Sequence, residues 1–330
     1  MRDAATDTAT VIAADMGGTK TAGVLADREG RFLARAALPT WPTGGGPEGL
    51  DALTAVIAEL HNAGAAMGRP AAAIGVSVAG VVERGTGIVR LAPNLGWYDF
   101  PLREALEARF PLPVALGNDA KLATLGEYAA GAGANEPVLI GVWIGTGVGG
   151  GIVLDGHLLH GARDAAGEVA YMLPDRANLA REYPDLGALE LEIAGPGIAR
   201  RAAALLAASP DTGSVLRTDA HEPTAQAVLA AALEGDALAV AVVGETLDTL
   251  ALALAAVSTA LDPGRIVLGG SVGLALAPWY PALTARLTGR IPHVPPLVAA
   301  ALGANAPLVG AAALAWGMVA RAVGRNRRDT

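Results

Sequence analysis

The sequence predicts an α/β protein made of two halves that face each other across a cleft. Three observations carry this expectation. The chain has 330 residues, more than one ordinary core holds and comfortable for two. Its first apolar run stops at Asp15 on a Gly/Thr turn, "MGGTK", and resumes as a second strand. The same order of strand, Gly/Thr turn and strand returns in mid-chain at "VLIGVWIGTGVGGGIVLDGHLLHG". Aligning Gly18-Thr19 with Gly145-Thr146 sets Val24 to Asp27 against Ile152 to Asp155 within a residue or two, which reads as a duplication.

Taken in order, Val11 to Ala14, Thr21 to Leu25 and Phe32 to Leu38 read as three adjacent strands, with turn chemistry at "MGGTK" and "DREG". Leu50, Leu53, Ile57 and Leu60 then follow a helical period, punctuated by "GPEG" before and "NAGAAMGRP" after. A strand at "AIGVSVAGVV" and another at "PVALGND" complete the first half. After the mid-chain hairpin come mostly helices, including an Ala-rich pair flanking "EGD". A last strand and turn, "DPGRIVLGGSVG", precedes the terminal helix. The expected divisions are a polar tail over 1–10, an N-terminal α/β domain over 11–119, a larger C-terminal α/β domain over 120–305 and a terminal helix over 306–330 packing back on the first domain.

Composition narrows the function. A formal charge of −8 and no basic block argue against nucleic acid and anionic membranes as partners. With no cysteine, disulfides, thiolate metal sites and Cys nucleophiles are excluded. The start "MRDAATDTAT" lacks the apolar stretch of a signal peptide, so a cytoplasmic location is expected. Two long apolar stretches, "ALAVAVVGETLDTLALALAAVSTAL" and "LVAAALGANAPLVGAAALAWGMVA", invite a membrane reading. Glu245 and Asp248 in the first, and Gly303, Asn305, Pro307 and Gly310 in the second, favour buried helices, with a membrane span as the alternative.

The turns suggest the chemistry. In "DMGGTK", glycines let backbone N–H groups approach an anion, Thr19 adds a hydroxyl and Lys20 a charge, while Asp15 could hold hydrated Mg²⁺ beside phosphates; an ordinary hairpin turn is the alternative. "GTGVGG" at 145–150 satisfies G-x-G-x-x-G, but a second strand follows where a dinucleotide-binding fold needs a helix. Two facing glycine hairpins suit a polyphosphate held from both sides. In "GND" at 117–119, Asp119 ends a strand and could accept a proton from an attacking hydroxyl, or could cap the following helix. "GGS" at 269–271 is a third tight turn, suited to packing a nucleoside base or to no ligand at all.

In this order, over nearly the whole chain, these segments resemble the ROK family (repressor, open reading frame, kinase) of the actin-like ATPase superfamily. "DMGGTK" is similar to its first phosphate motif, "NLGW" with Pro101-Leu102 to the segment before its catalytic strand, and "GNDAKLATLGE" to its catalytic segment. "GTGVGGGIVLDGHLLHG" resembles the second phosphate motif, "AAGEVAYM" the sugar-binding loop and "LDPGRIVLGGSVG" the nucleoside motif. The resemblance implies two actin-like (RNase H-like) α/β domains around a nucleotide and sugar cleft. It implies ATP- and Mg²⁺-dependent phosphorylation of a sugar hydroxyl, most simply a hexose, with an N-acetylated amino sugar or fructose as alternatives, and a homodimer.

Carried over residue by residue, Asp119 is implied as general base and Asp15 as Mg²⁺ holder through water. Gly17, Gly18, Thr19, Lys20, Gly145, Thr146 and Gly147 are implied at the ATP phosphates, and Gly269 and Gly270 at the nucleoside. Asn94, Asn118, Asp119, Glu168, Tyr171 and Glu190 are implied at the sugar. The family's zinc motif falls on "AYMLPDRANLAREYPDLGALE", where Gly187 and Glu190 match but the metal positions read Tyr171, Arg181, Tyr183 and Ala188. No zinc is therefore expected. Tyr171 and Tyr183 packing on Leu186 and Leu189, with Arg181 paired to an acid, would hold the loop instead. A sugar-responsive repressor is the rival; relatives of that kind carry a helix-turn-helix domain before the first phosphate motif, where this sequence has fourteen residues before Asp15. An idle sugar or nucleotide sensor is the third reading, disfavoured by Asp15, Asp119 and both turns.

Overall fold

A computed structural model describes residues 8–40, 48–184, 186–209, 213–217 and 222–326. Most of the expected polar tail, and the Gly-Pro expected to punctuate the first helix, lie outside them. The chain divides into two compact units. One is Met1–Asn135, Gly156–Ala166 and Ala304–Thr330; the other is Glu136–Asp155 and Gly167–Gly303.

The first unit is built on a sheet of five strands, β1 (Thr10–Met16), β2 (Lys20–Ala26), β3 (Phe32–Pro39), β4 (Ala71–Val78) and β8 (Val114–Asn118), in the order β3-β2-β1-β4-β8. β1, β2 and β3 form the expected antiparallel meander, whereas β4 and β8 add in parallel. Helix α1 (Glu48–Ala66) lays Leu53, Ile57 and Leu60 on this sheet, all but fully buried with Ile12, Leu25 and Ile74. Each such side chain stabilises the fold by about 2 kcal/mol. Leu50 packs at the margin of this core.

The single strand expected at "AIGVSVAGVV" is two. β4 stops at Val78, the chain turns at Gly80, and β5 (Val81–Glu83) joins β6 (Ile88–Ala92) and β7 (Trp97–Phe100) in a small antiparallel sheet. Glycine is needed at the break because a Cβ there would lie 2.5 Å from the Leu91 carbonyl oxygen. After helix α2 (Leu102–Glu107) and strand β8, helix α3 (Asp119–Ala130) begins directly at the strand end.

The second unit repeats the first sheet's logic. β9 (Val138–Ile144) and β10 (Val148–Leu154) are an antiparallel hairpin, and β12 (Arg265–Gly269) lies parallel to β9, as β4 does to β1. β13 (Leu297–Ala299) extends the sheet, giving the run β10-β9-β12-β13. The two-residue strand β11 (His157–Leu158) belongs to the segment assigned to the first unit. Helices α4 (Ala188–Ile193), α5 (Gly195–Ala208), α6 (Ala225–Leu233), α7 (Ala237–Leu261), α8 (Gly270–Ala275) and α9 (Tyr280–Leu287) complete the unit.

The first long apolar stretch is helix α7, as expected; the second is not one helix but splits into strand β13 (Leu297–Ala299) and, from Ala306, the terminal helix. α7 buries Val242, Val243, Leu247, Leu250 and Leu254. Its acids are paired, Glu245 with Arg201 at 3.1 Å and Asp248 with Arg286 at 2.6 Å. The terminal helix α10 (Ala306–Asn326) seats on β4 and α3 so closely that only glycine fits at the crossings. A Cβ on Gly75 would meet the Ala311 oxygen at 2.0 Å, and one on Gly310 the Leu122 oxygen at 1.8 Å. Its Ala/Gly composition therefore reflects backbone contact, and that contact fixes α3, which carries Asp119.

Candidate active site

In the first unit, the candidate residues gather at the carboxyl ends of β1, β4 and β8. Parallel pairing sets Asp15 opposite Ser77 and Val78 opposite Asn118. Ser77 Oγ donates to Asp15 Oδ1 at 2.6 Å. Burial raises the Asp15 carboxyl above its ordinary 3.8, and the Ser77 hydroxyl only partly offsets it. A carboxylate so desolvated favours a proton or a cation beside it, and an oxygen donor set is what hard Mg²⁺ takes.

The turn after Asp15 is closed by Gly17 N–H donating to the Lys20 oxygen at 3.1 Å. Thr40, at the end of β3, braces it from behind: its hydroxyl donates to the Gly17 oxygen at 2.6 Å, and its N–H to the Thr19 oxygen at 3.0 Å. Since the Thr40 proton is committed to Gly17, the Thr21 hydroxyl, 3.1 Å away, must donate to Thr40. Both threonines are fully buried, while Thr19 and Lys20 are exposed. Asn94 stands beside this turn, its Cβ 3.0 Å from where a Cβ on Gly18 would lie. Leu95 and Trp97, both buried, anchor the "NLGW" segment and leave Asn94 exposed.

The cap of α3 is Asn118, not Asp119. Asn118 Oδ1 accepts the Lys121 N–H at 3.1 Å, and its Nδ2 donates to the Gly80 oxygen at 3.1 Å and to Asp119 Oδ1 at 2.9 Å. Asp119 is the first helical residue, and its Oδ1 also accepts the Ala120 N–H at 2.8 Å. Asn118 thus aims the neighbouring carboxylate. Lys121, buried on the same helix turn, donates from Nζ to the Asp164 carbonyl. That ties the 156–166 segment to α3.

In the second unit, the Gly145–Gly147 turn is closed by Gly145 N–H to the Gly147 oxygen at 2.8 Å. Its neighbour is 269–271, which the sequence suggested as a tight turn and which is the direct junction of β12 with α8: Ser271 Oγ lies 3.7 Å from a Cβ built on Gly145, and Gly269 pairs with Trp143. Gly269 packs flat on the Trp143 ring, and Gly270 takes a φ of 77°. The structure therefore brings Gly145, Thr146, Gly147, Gly269 and Gly270 together. Glu168 precedes a single 3-10 turn, Val169–Tyr171, which lies against β10. The glycines of β10 make this possible, since a Cβ on Gly150 would lie 2.5 Å from the Gly167 oxygen. Glu190, third residue of α4, accepts the Val148 N–H at 2.6 Å.

The loop from Tyr171 to Glu190 is not held as expected. Tyr171 and Leu186 are about half exposed, although Leu189 is buried, and Asp185, an acid of this loop that could answer Arg181, lies outside the described residues. Asp175 caps a short 3-10 helix, Arg176–Ala180, in a reciprocal box with Asn178, whose Nδ2 donates to the Tyr183 hydroxyl at 3.0 Å. Local polar capping thus shapes the first part of this loop and reaches Tyr183. Among the described residues, no group of three His, Asp or Glu could hold a metal ion.

Ser77, Thr40 and Lys121 escaped sequence reasoning. Ser77 was the most readable, as the one hydroxyl in the buried run "AIGVSV".

With this geometry in hand, comparison with known proteins decides the family. The ROK family profile matches residues 11–317. The chain belongs to the ROK family. A glucokinase of Streptomyces coelicolor is 34% identical over 318 residues, which cover 92% of this chain and 96% of that protein. A glucokinase of Halalkalibacterium halodurans is 36% identical over 205 residues, 61% of this chain and 62% of that protein. The crystal structure of a ROK family glucokinase from Streptomyces griseus in complex with glucose and AMPPNP superposes with a TM-score of 0.72 at 32% identity. That match covers 93% of this chain and 99% of the other. The fold of this ROK protein is accordingly that of the actin-like ATPases.

Proposed function

We propose that this ROK protein is a sugar kinase that transfers the γ-phosphoryl group of ATP to a hydroxyl of a hexose. The observation that carries the reading is the end of β8. Asn118 takes the capping role, and Asp119, held by Asn118 Nδ2 and Ala120 N, is presented as a carboxylate at a strand end. Asp119 accepts the proton of the sugar hydroxyl as that oxygen bonds to the γ-phosphorus and the bond from phosphorus to the β-γ bridging oxygen breaks, releasing ADP.

The two glycine turns supply N–H and hydroxyl donors for the phosphates, with Lys20 adding charge at the first, and Gly269 and Gly270 are assigned to the nucleoside. Mg²⁺, held by Asp15 through water, would neutralise phosphate charge. The sugar is assigned to Asn94, Asn118, Asp119, Glu168, Tyr171 and Glu190. In support, Asn94 lies against the first turn and Glu190 against the second. A cytoplasmic homodimer belongs to the same reading, and both long apolar helices pack within their own units. The net charge of −8 disfavours nucleic acid as a partner.

A coupled ADP-release assay over glucose, mannose, fructose, N-acetylglucosamine and N-acetylmannosamine tests the proposal. Sugar-dependent ADP release is expected, strongest with an unmodified hexose. An N-acetylated sugar as best substrate would redirect the specificity, and no release with any sugar would leave a sensor.

A further inference from the structure

A single short segment grips the second glycine turn at both ends. Gly187 has no side chain, which lets the start of α4 lie directly on the Val169–Tyr171 turn; a Cβ there would be 2.0 Å from the Ala170 oxygen. That seating delivers Glu190, whose carboxylate accepts the Val148 N–H at 2.6 Å. Immediately after α4, the Gly195 N–H donates to the Gly145 oxygen at 2.8 Å. The peptide unit joining Gly147 to Val148 is therefore clamped twice. Its oxygen accepts Gly145 N–H, and its N–H is taken by Glu190. Because a peptide unit is planar, fixing both ends fixes the plane and with it the turn that carries Thr146.

A carboxylate beside a turn meant for phosphates is otherwise unfavourable, since like charges repel. Its hydrogen bond to a backbone N–H is of the strong, charge-assisted kind, and this is what it offers in return. Gly147 belongs to the same arrangement: a Cβ there would stand 2.8 Å from Glu190 Oε2.

We infer that Glu190 is a positioning residue for nucleotide, aiming the 145–147 turn through Val148, in addition to any contact it makes with sugar. The inference rests on the reading of that turn as a phosphate site. It gives the helix that ends the sugar loop a direct hold on the phosphate turn.

The test is a titration of the full-length protein with Mg²⁺ and AMPPNP in the absence of sugar, beside steady-state KM values for ATP and for sugar. Glu190→Ala should weaken AMPPNP binding and raise the KM for ATP, each about tenfold, the scale of a hydrogen bond to a charged group. Glu190→Gln keeps an oxygen that can accept the Val148 N–H, so its AMPPNP affinity should return to within about twofold of the parent while its sugar KM stays raised. Should Glu190→Ala fold poorly, Glu190→Asp carries the test. It keeps the charge but is one methylene too short to reach Val148, and should show the same loss. AMPPNP affinity at the parental value in Glu190→Ala or Glu190→Asp, with only the sugar KM changed, would overturn the inference. A parent protein that does not bind AMPPNP would instead overturn the phosphate reading itself.

Discussion

The two glycine turns are alike in sequence and backbone, yet they are braced by opposite chemistry. Each joins an antiparallel hairpin whose first strand has a parallel neighbour, β4 in one unit and β12 in the other. Behind the first turn stand two buried neutral hydroxyls, Thr40 and Thr21. Beside the second stands a carboxylate, Glu190. The two hairpins thus share the path of the chain, and each satisfies its backbone in its own way. The first turn is braced from its own sheet, by the end of β3. The second is braced by α4, so whatever moves that helix moves the turn.

The largest effect should separate chemistry from phosphate holding. Asp119→Asn is expected to lower turnover by about 10²- to 10⁴-fold while leaving AMPPNP affinity intact, the reverse of a turn variant. Kinetics and titration on the same sample check this, and near-normal turnover would remove Asp119 from the role of base.

Next comes Thr40→Val, which sharpens the contrast with Glu190. It leaves the Gly17 oxygen and the Thr21 hydroxyl short of a partner in a buried place, at a cost of about 1–3 kcal/mol in stability. The KM for ATP should rise and the KM for sugar stay put. A denaturation curve identical to the parent's would mean that the first turn holds itself.

A smaller effect is expected from acid. Burial opposes ionisation of Asp27, at the far end of β2, but the Arg31 N–H, the Arg31 guanidinium and the charge on Arg69 hold its carboxyl below its ordinary 3.8. A depressed folded pKa adds stability that is present above 3.8 and disappears as the pH falls through the folded value. Denaturant melts in that acid range should therefore show a decline that Asp27→Asn reduces; an unchanged decline would assign it to other carboxylates.

The smallest effect is reserved for Tyr171→Phe. Its ring is half exposed, so the melting temperature should not change. The KM for sugar should rise by about two- to tenfold if the hydroxyl serves the sugar. A lowered melting temperature with an unchanged KM would make Tyr171 a packing residue.

What could be read from sequence follows from the range of the interactions involved. The hairpins were legible because Gly and Thr between β-branched runs are local signals, and α1 because its apolar residues recur at helical spacing. The break at Gly80 was not, because it depends on the Leu91 carbonyl, which only the folded small sheet brings near. That Asn118 caps α3, where the sequence offered Asp119 as the candidate cap, was not legible because both residue types cap well and the two are adjacent. The Ser77 partner of Asp15 and the Glu190 partner of Val148 are set by strand register and helix seating, each distant in sequence. The loop after Tyr171 misled for another reason. Its aromatic residues suggested packing, whereas the Asp175 and Asn178 box that shapes it is a short-range pattern that was open to notice.

The most direct measurement is of the product itself. Mass spectrometry of a reaction holding the protein, ATP, Mg²⁺ and the best hexose of the panel should show one hexose monophosphate formed for each ADP, and none when Asp119→Asn replaces the parent over the same interval. ADP accumulating without a phosphorylated sugar, or no turnover with any sugar offered, would contradict the account.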